Sequence, residues 1–290
     1  METRLGRKIG EGACADVHEW EGLAKIIKLA KPHTNLHALN RELRNGRLAW
    51  EAGLPVPRPY GLAEADGRSG IVFERIDGES LMTRLLSQII GASAAGKPDP
   101  RLDSLASDTI LTAKLLHLVH SSPAPEMPSQ LESLAWAIRR AEGLLPDEAE
   151  RIIVYMEQLP RKRQLCHGNP NPGNIMLRGG HPVLLDWNDA ACGNPEADLA
   201  EYIVMFRFAD LPDHLPQEAA EGLDELREPI IRTFAQAYEQ LSGIAYSAIE
   251  PWMLPVAARR LSISALGARE KARVLREVRD RLHRLAPASS

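Results

Sequence analysis

The stretch Cys166-His167-Gly168-Asn169-Pro170-Asn171-Pro172-Gly173-Asn174, with Leu184-Leu185-Asp186-Trp187 a short way on, decides how this chain is read. Asn174 offers an amide oxygen and Asp186 a carboxylate. Magnesium takes oxygen ligands, a few from protein and the rest from phosphate and water. Two short strands, Gln164-Leu165-Cys166 and Ile175-Met176-Leu177, flank the loop, and a third, Pro182 to Asp186, carries the carboxylate. A loop between short strands can deliver both donors to one side of a cleft. Phosphoryl transfer asks a protein for charge compensation and positioning more than for covalent chemistry. His167 reads as structural, packing beneath the loop.

Working outward toward the N-terminus, the sequence predicts strands at Val17–Trp20 and Leu23–Leu29, joined at Glu21-Gly22. Gly10-Glu11-Gly12-Ala13-Cys14-Ala15-Asp16-Val17 precedes a strand rather than opening a helix. That context fits a hairpin lid over phosphates, with Gly10 and Gly12 as its flexible points, better than a dinucleotide-binding turn. Lys28 ends a strand, and Glu42 sits on the helix expected from Asn35 to Ala52, with Gly53 as its C-terminal cap. A phosphate-binding lysine needs an acidic partner that holds it without neutralising it, and this pair can fill those roles. Lys25, three residues away on a strand, points to the opposite face. Pro55 to Pro59 is extended by its prolines. Gly70–Ile76 is a further strand, and Phe73-Glu74-Arg75-Ile76 with Asp77-Gly78 would form a hinge whose backbone can meet an adenine edge. Glu74 and Ile76 are its candidate nucleotide contacts.

From Ser80 onward helix dominates, with periodic stretches at Leu102–His120 and about Glu148–Gln158. Gly91–Pro100 and Ser121–Pro128 read as loops. Beyond Ala197 the chain is helical to about Leu285, with proline breaks expected near 212–216, 229, 251 and 255. The 290 residues suffice for two lobes. A net charge of -4 gives no electrostatic case for nucleic acid. No apolar run approaches the ~20 residues needed to span a bilayer. The three cysteines, Cys14, Cys166 and Cys192, are odd in number and widely spaced, which points to reduced thiols and a cytoplasmic setting. Oligomeric state cannot be read from the sequence.

The block His167 to Asn174 resembles the H-G-D-x-x-P-G-N segment of the aminoglycoside phosphotransferase and choline kinase-like family. Leu184-Leu185-Asp186-Trp187-Asn188-Asp189-Ala190, with Gly193 to Ala200, resembles the family's I-D-W-x-x-A-x-x-G-x-P-x-x-D-L-A segment. The similarity runs over about residues 5–205. Protein kinases fit less well, since H-R-D, D-F-G and A-P-E are missing.

The resemblance implies an α+β, two-lobed protein-kinase-like fold. Its small β-rich N-lobe would cover residues 1–77, with the hinge at about 73–78. A large, mainly helical C-lobe would cover 78–290. ATP (or GTP) and magnesium would sit between the lobes, and the γ-phosphate would pass to a hydroxyl of a small molecule. That acceptor could be an aminoglycoside or other antibiotic, with a resistance role, or an amino-alcohol metabolite. Lys28 would hold phosphates, Glu42 would orient Lys28, and Asn174 and Asp186 would bind metal. Asp198 would brace the catalytic loop.

Asn169 departs from the family pattern, in which this position is aspartate. An amide can accept a hydrogen bond but cannot take a proton at ordinary pH. Three accounts stand open: a substitution made to trap a complex, a nucleotide-binding pseudokinase with a scaffold or sensor role, or compensation by Asp189 or water. The segment from Glu196 to Glu250 is acidic, and Glu196 and Glu201 are its candidates for receiving a cationic acceptor. The Arg-rich stretch from Arg259 to Arg284 reads as a solvated closing helix.

Overall fold

The computed structural model describes residues 5–95, 101–124, 126–211, 215–264 and 266–285. The first half of the chain runs β1 (Leu5–Glu11), β2 (Ala15–Trp20), β3 (Lys25–Ala30), α1 (Leu36–Glu51), β4 (Pro59–Ala65), β5 (Arg68–Glu74), β6 (Glu79–Ser80), α2 (Leu81–Ala95), α3 (Arg101–Ser121), α4 (Gln130–Ile138) and α5 (Pro146–Glu157). It continues with β7 (Gln164–Cys166), β8 (Ile175–Arg178), β9 (His181–Leu184), β10 (Ala191–Gly193), α6 (Pro195–Phe208), α7 (Gln217–Ser242), α8 (Tyr246–Ile249), α9 (Met253–Arg260) and α10 (Ala268–Arg284). These elements pack as two compact units, one of residues 1–81 with 173–190 and one of 82–172 with 191–290. The sequence reading drew a single boundary at residue 77. In the structure, residues 173–190 pack with the N-terminal segment, because β8 pairs with β6 and Leu184 N donates to Pro55 O at 2.8 Å.

In the first unit the strands form a five-stranded antiparallel sheet in the order β1-β2-β3-β5-β4. Strand periodicity sorts β3 between two faces. Ile27 and Leu29 pack with Trp20, Ala65 and Val72 on one side. Ala30, with Ile71, meets Leu39 of α1 on the other. The isoleucines, leucines and valine among them each contribute about 1.5–3 kcal/mol by leaving water. Lys28 shares parity with Ala30 and so lies on the helix-bearing face, whereas Lys25 shares parity with Ile27.

Helix α1 begins where Asn35 Oδ1 accepts from Ala38 N at 2.9 Å. It ends at Gly53 (φ +76), where Leu54 N donates to Ala49 O and Gly53 N to Trp50 O. This pair of bonds satisfies the last carbonyls and uses glycine for the left-handed residue. Leu36 and Trp50 are exposed, and the buried face is Leu39, Glu42, Asn45, Gly46 and Ala49.

Strand β4 was missed because two prolines precede it and a third, Pro59, opens it, yet Asp66-Gly67 (φ 50 and 69) closes a two-residue hairpin between Ala65 and Arg68. Asp-Gly between alternating residues is a known signal for that turn. The loop expected over Gly91–Pro100 is helical to Ala95, and its remainder lies outside the described residues, as do 212–214 of the expected proline break.

The second unit is helical around one core built on α3, α5, α6, α7 and α9. Pro229 does not break α7: the stripe Leu223, Ile230, Ile231, Phe234 and Tyr238 stays buried on one side and holds the helix across the missing amide donor. Pro255 likewise sits inside α9. The two-stranded pair β7–β10 supports the loop that follows Cys166. No helix among the described residues is long and apolar enough to cross a membrane. All three cysteines are free, and burial pushes the Cys166 thiol well above its usual range.

Candidate active site

The first unit contains a cavity of about 510 Å³, within the range of about 300–1,000 Å³ typical of small-ligand sites. Gly10, Gly12, Lys28, Glu42, Glu74, Ile76, Asn174 and Asp186 all line it. These residues come from the β1–β2 hairpin, β3, α1, the segment after β5, and the 173–190 block.

Lys28 Nζ donates to Glu42 Oε1 at 2.5 Å and stands 3.3 Å from Asp186 Oδ1. Burial would lower the lysine's pKa, but the carboxylates of Asp186 and Glu42 outweigh it and hold the group above its ordinary value. Lys28 therefore carries its charge at any working pH. Burial pushes Glu42 above the usual carboxylate range, with Lys28 pulling against it. Lys25 instead pairs with Glu21 and lies over the Tyr60 ring.

Asp186 sits just past β9 in a left-handed conformation (φ 59, ψ 71). Such a backbone costs a non-glycine residue about 1–2 kcal/mol, and strain of this kind gathers at functional sites. Bonds on both sides hold it. Leu185 N donates to Asn174 O at 2.7 Å, and Trp187 Nε1 to Leu184 O at 3.1 Å. An amide and a carboxylate oxygen on one cavity wall are the donor set that magnesium accepts. At the hinge, Glu74 N donates to Arg58 O, and the Glu74 carboxylate accepts from Arg178 at 2.6 Å.

The second unit holds Asn169 on its loop. Asp198, in the first turn of α6, is fully buried and accepts from His167 N at 2.7 Å and Gly168 N at 2.6 Å. His120 Nε2 lies 3.1 Å from the same carboxylate, and its Nδ1 lies 2.6 Å from the Tyr238 hydroxyl. Burial would raise the Asp198 pKa, but the hydrogen bond and charge of His120, with the loop amides, bring it below the usual carboxylate value. Asn169 N donates to His167 Nδ1, and Asn169 Oδ1 accepts from Asn171 Nδ2 at 2.9 Å. The sequence reading had no means of finding His120 or Tyr238, which lie 78 and 118 residues from their bonding partners Asp198 and His120.

Glu196 and Glu201 require a correction. Both are buried within α6 and already paired, Glu196 with Lys162 and Glu201 with Arg259 at 2.6 Å. Burial lifts the Glu201 pKa and Arg259 opposes it. Glu201 is an internal strut, while Glu196 is tied to Lys162 through Oε1 and leaves Oε2 buried without a partner among the described residues. Of the Arg-rich stretch, Arg279 and Arg281 are spent on Glu148, Glu250 and Glu277, and Lys271 on Glu142.

A β-rich N-terminal unit and a helical second unit, with an ammonium, an amide and two carboxylates around one cavity, define the kinase-like fold. Residues 15–252 match the phosphotransferase enzyme family, and the chain belongs to that family. Among solved structures it is similar to an aminoglycoside-3'-phosphotransferase of type VIII, at 16% identity and TM-score 0.59, over 90% of this chain and 94% of that one. It is also similar to a thermostable mutant of aminoglycoside phosphotransferase APH(4)-Ia in a ternary complex with ADP and hygromycin B, at 14% identity and TM-score 0.63, over 98% and 95%. A third likeness is to choline kinase LicA from Streptococcus pneumoniae, at 15% identity and TM-score 0.62, over 97% and 95%. No curated protein sequence matches the chain.

Proposed function

We propose that this chain is an ATP- and magnesium-dependent kinase of a small-molecule hydroxyl, slowed by the asparagine at position 169. The observation that carries the reading is the meeting of Lys28, Glu42, Asn174 and Asp186 on one cavity that is also lined by the glycine hairpin and the hinge segment. The apolar residues Val17, Ile26, Val56 and Met176 give a purine ring a wall to lie against. Lys28 would take phosphate oxygens, with Glu42 fixing its direction. Asn174 and Asp186 would hold magnesium, which supplies charge neutralisation at the phosphates. Asn169 would orient the acceptor hydroxyl without removing its proton. The ADP and hygromycin B in a structural neighbour, and choline kinase activity in another's name, support a nucleotide and a small hydroxyl compound as the two ligands. Glu201 is tied to Arg259 and Glu196 to Lys162, so the acceptor need not be a cation.

The test is ATP consumption by the native chain and by Asn169→Asp, screened against aminoglycosides, macrolides, peptidic antibiotics and amino alcohols. A positioned base contributes roughly 10²–10⁴-fold, so Asn169→Asp is expected to raise turnover at least about tenfold. Equal rates in the two forms would overturn the base assignment. Magnesium–nucleotide binding without turnover in either form would favour a pseudokinase, a reading to which Asn169 itself lends support. Calorimetry showing no heat with any purine triphosphate would end both.

A further inference from the structure

Asn45 lies on the buried face of α1, 1% exposed, one turn after Glu42. Its Nδ2 donates to Trp187 O at 3.0 Å, with Ala190 O at 3.4 Å and Asn188 O at 3.5 Å. Because the facing groups are carbonyls, the amide must point its nitrogen at them. Its Oδ1 is then left buried with no partner among the described residues. One turn earlier, Arg41 Nε and Nη2 donate to Asn188 Oδ1 at 3.3 and 3.1 Å.

An orphaned buried acceptor costs about 1–3 kcal/mol, and an unsatisfied group of this kind calls for an explanation. An apolar side chain of the same size would avoid that cost. What the amide provides is a clasp on the carbonyls of Trp187, Asn188 and Ala190, in the turn that follows Asp186. The same helix presents Glu42 to Lys28, so a single rigid element sets both the ammonium and the carboxylate.

We infer that Asn45 is a positioning residue for the metal ligand Asp186, acting through the carbonyls of Trp187, Asn188 and Ala190. The inference rests on the reading of Asp186 as a magnesium ligand. Residues that orient a ligand from behind typically change metal affinity by about 10–100-fold when removed.

The test uses the full chain with Asn45→Ala and the size-matched Asn45→Leu, which keeps the helix packed if alanine fails to fold. Two quantities are measured: Mn²⁺ affinity in the presence of ADP, and ADP affinity without metal. In both variants Mn²⁺ binding is expected to weaken about 10–100-fold, with metal-free ADP binding within about twofold of native. Amide hydrogen exchange at residues 187–190, followed without any ligand, is expected to speed up. A folded Asn45→Leu protein with native Mn²⁺ affinity and native exchange would overturn the inference, as would equal losses in the metal and nucleotide affinities. A native chain that binds no Mn²⁺ with ADP would sink the kinase reading, while the exchange measurement would still decide whether Asn45 pins the turn.

Discussion

The two polar clusters of this protein are built on opposite plans. Around Lys28 the groups are partly open to a cavity, their charges are close but unequally shared, and one of them, Asp186, sits on a strained backbone. Around Asp198 everything is closed: the carboxylate is fully buried and accepts two loop amides, while His120 and Tyr238 extend the chain of bonds inward. The first cluster can exchange partners with a ligand. The second can only hold a shape. Asn169 falls on the loop that the rigid cluster holds. On the function proposed above, the departure from aspartate is therefore confined to one functional group in an intact frame.

The largest expected effect comes from breaking the closed cluster. Asp198→Ala strands two buried amides and His120, and removing one partner of a buried polar pair costs about 3–5 kcal/mol. At roughly 2–4 °C per kcal/mol for 150–250 residues, calorimetry should show Tm falling by roughly 6–20 °C. The sign with pH follows from the lowered Asp198 pKa. Its contribution is complete above the ordinary carboxylate value of about 3.9, and it is lost as pH falls through the lower folded-state value. Asp198→Asn should accordingly show a flatter acid limb of stability than the native chain. An unchanged acid limb would mean that the cluster is neutral in the folded state.

The open cluster should respond in function rather than stability. Lys28→Met, made on the Asn169→Asp background, is expected to lower kcat/KM for ATP by about 10²–10³-fold, the loss typical of one preorganised donor to developing charge. A loss under tenfold would remove Lys28 from the chemistry. Smaller again, Asn35→Ala deletes the N-cap of the helix that carries Glu42 and Asn45 and should cost about 1 kcal/mol, read as a shift in the denaturant midpoint. Smallest is Lys25→Met, on the opposite face of the same strand, which should leave nucleotide affinity within about twofold of native, since exposed ion pairs contribute little. A larger drop would blur the distinction between the two lysines.

What was legible in the sequence is what local pattern or a short motif encodes. Strand parity alone separates Lys28 from Lys25, and Asn35 and Gly53 mark both ends of α1. The loop and metal strand could be placed because their residues are close along the chain. Asp198 could be named as the brace through the resemblance, but His120 and Tyr238 could not, since they reach it only through packing of α3, α6 and α7. Glu196 and Glu201 misled for a related reason: an acidic side chain reads the same whether it faces solvent or, as here, a lysine or an arginine from another segment. Asn45 did leave a trace, as a polar residue at helical spacing from Leu39 and Glu42 on the buried face of α1.

Gly78 (φ +158) has a wider consequence. A β-carbon there would lie 2.0 Å from Leu177 O, across the pairing of Glu79 with Leu177. Even alanine is excluded there on steric grounds alone. In divergent descendants of this chain, that glycine should drift as slowly as the metal ligands, and a profile built to find distant kin gains by weighting it alongside them.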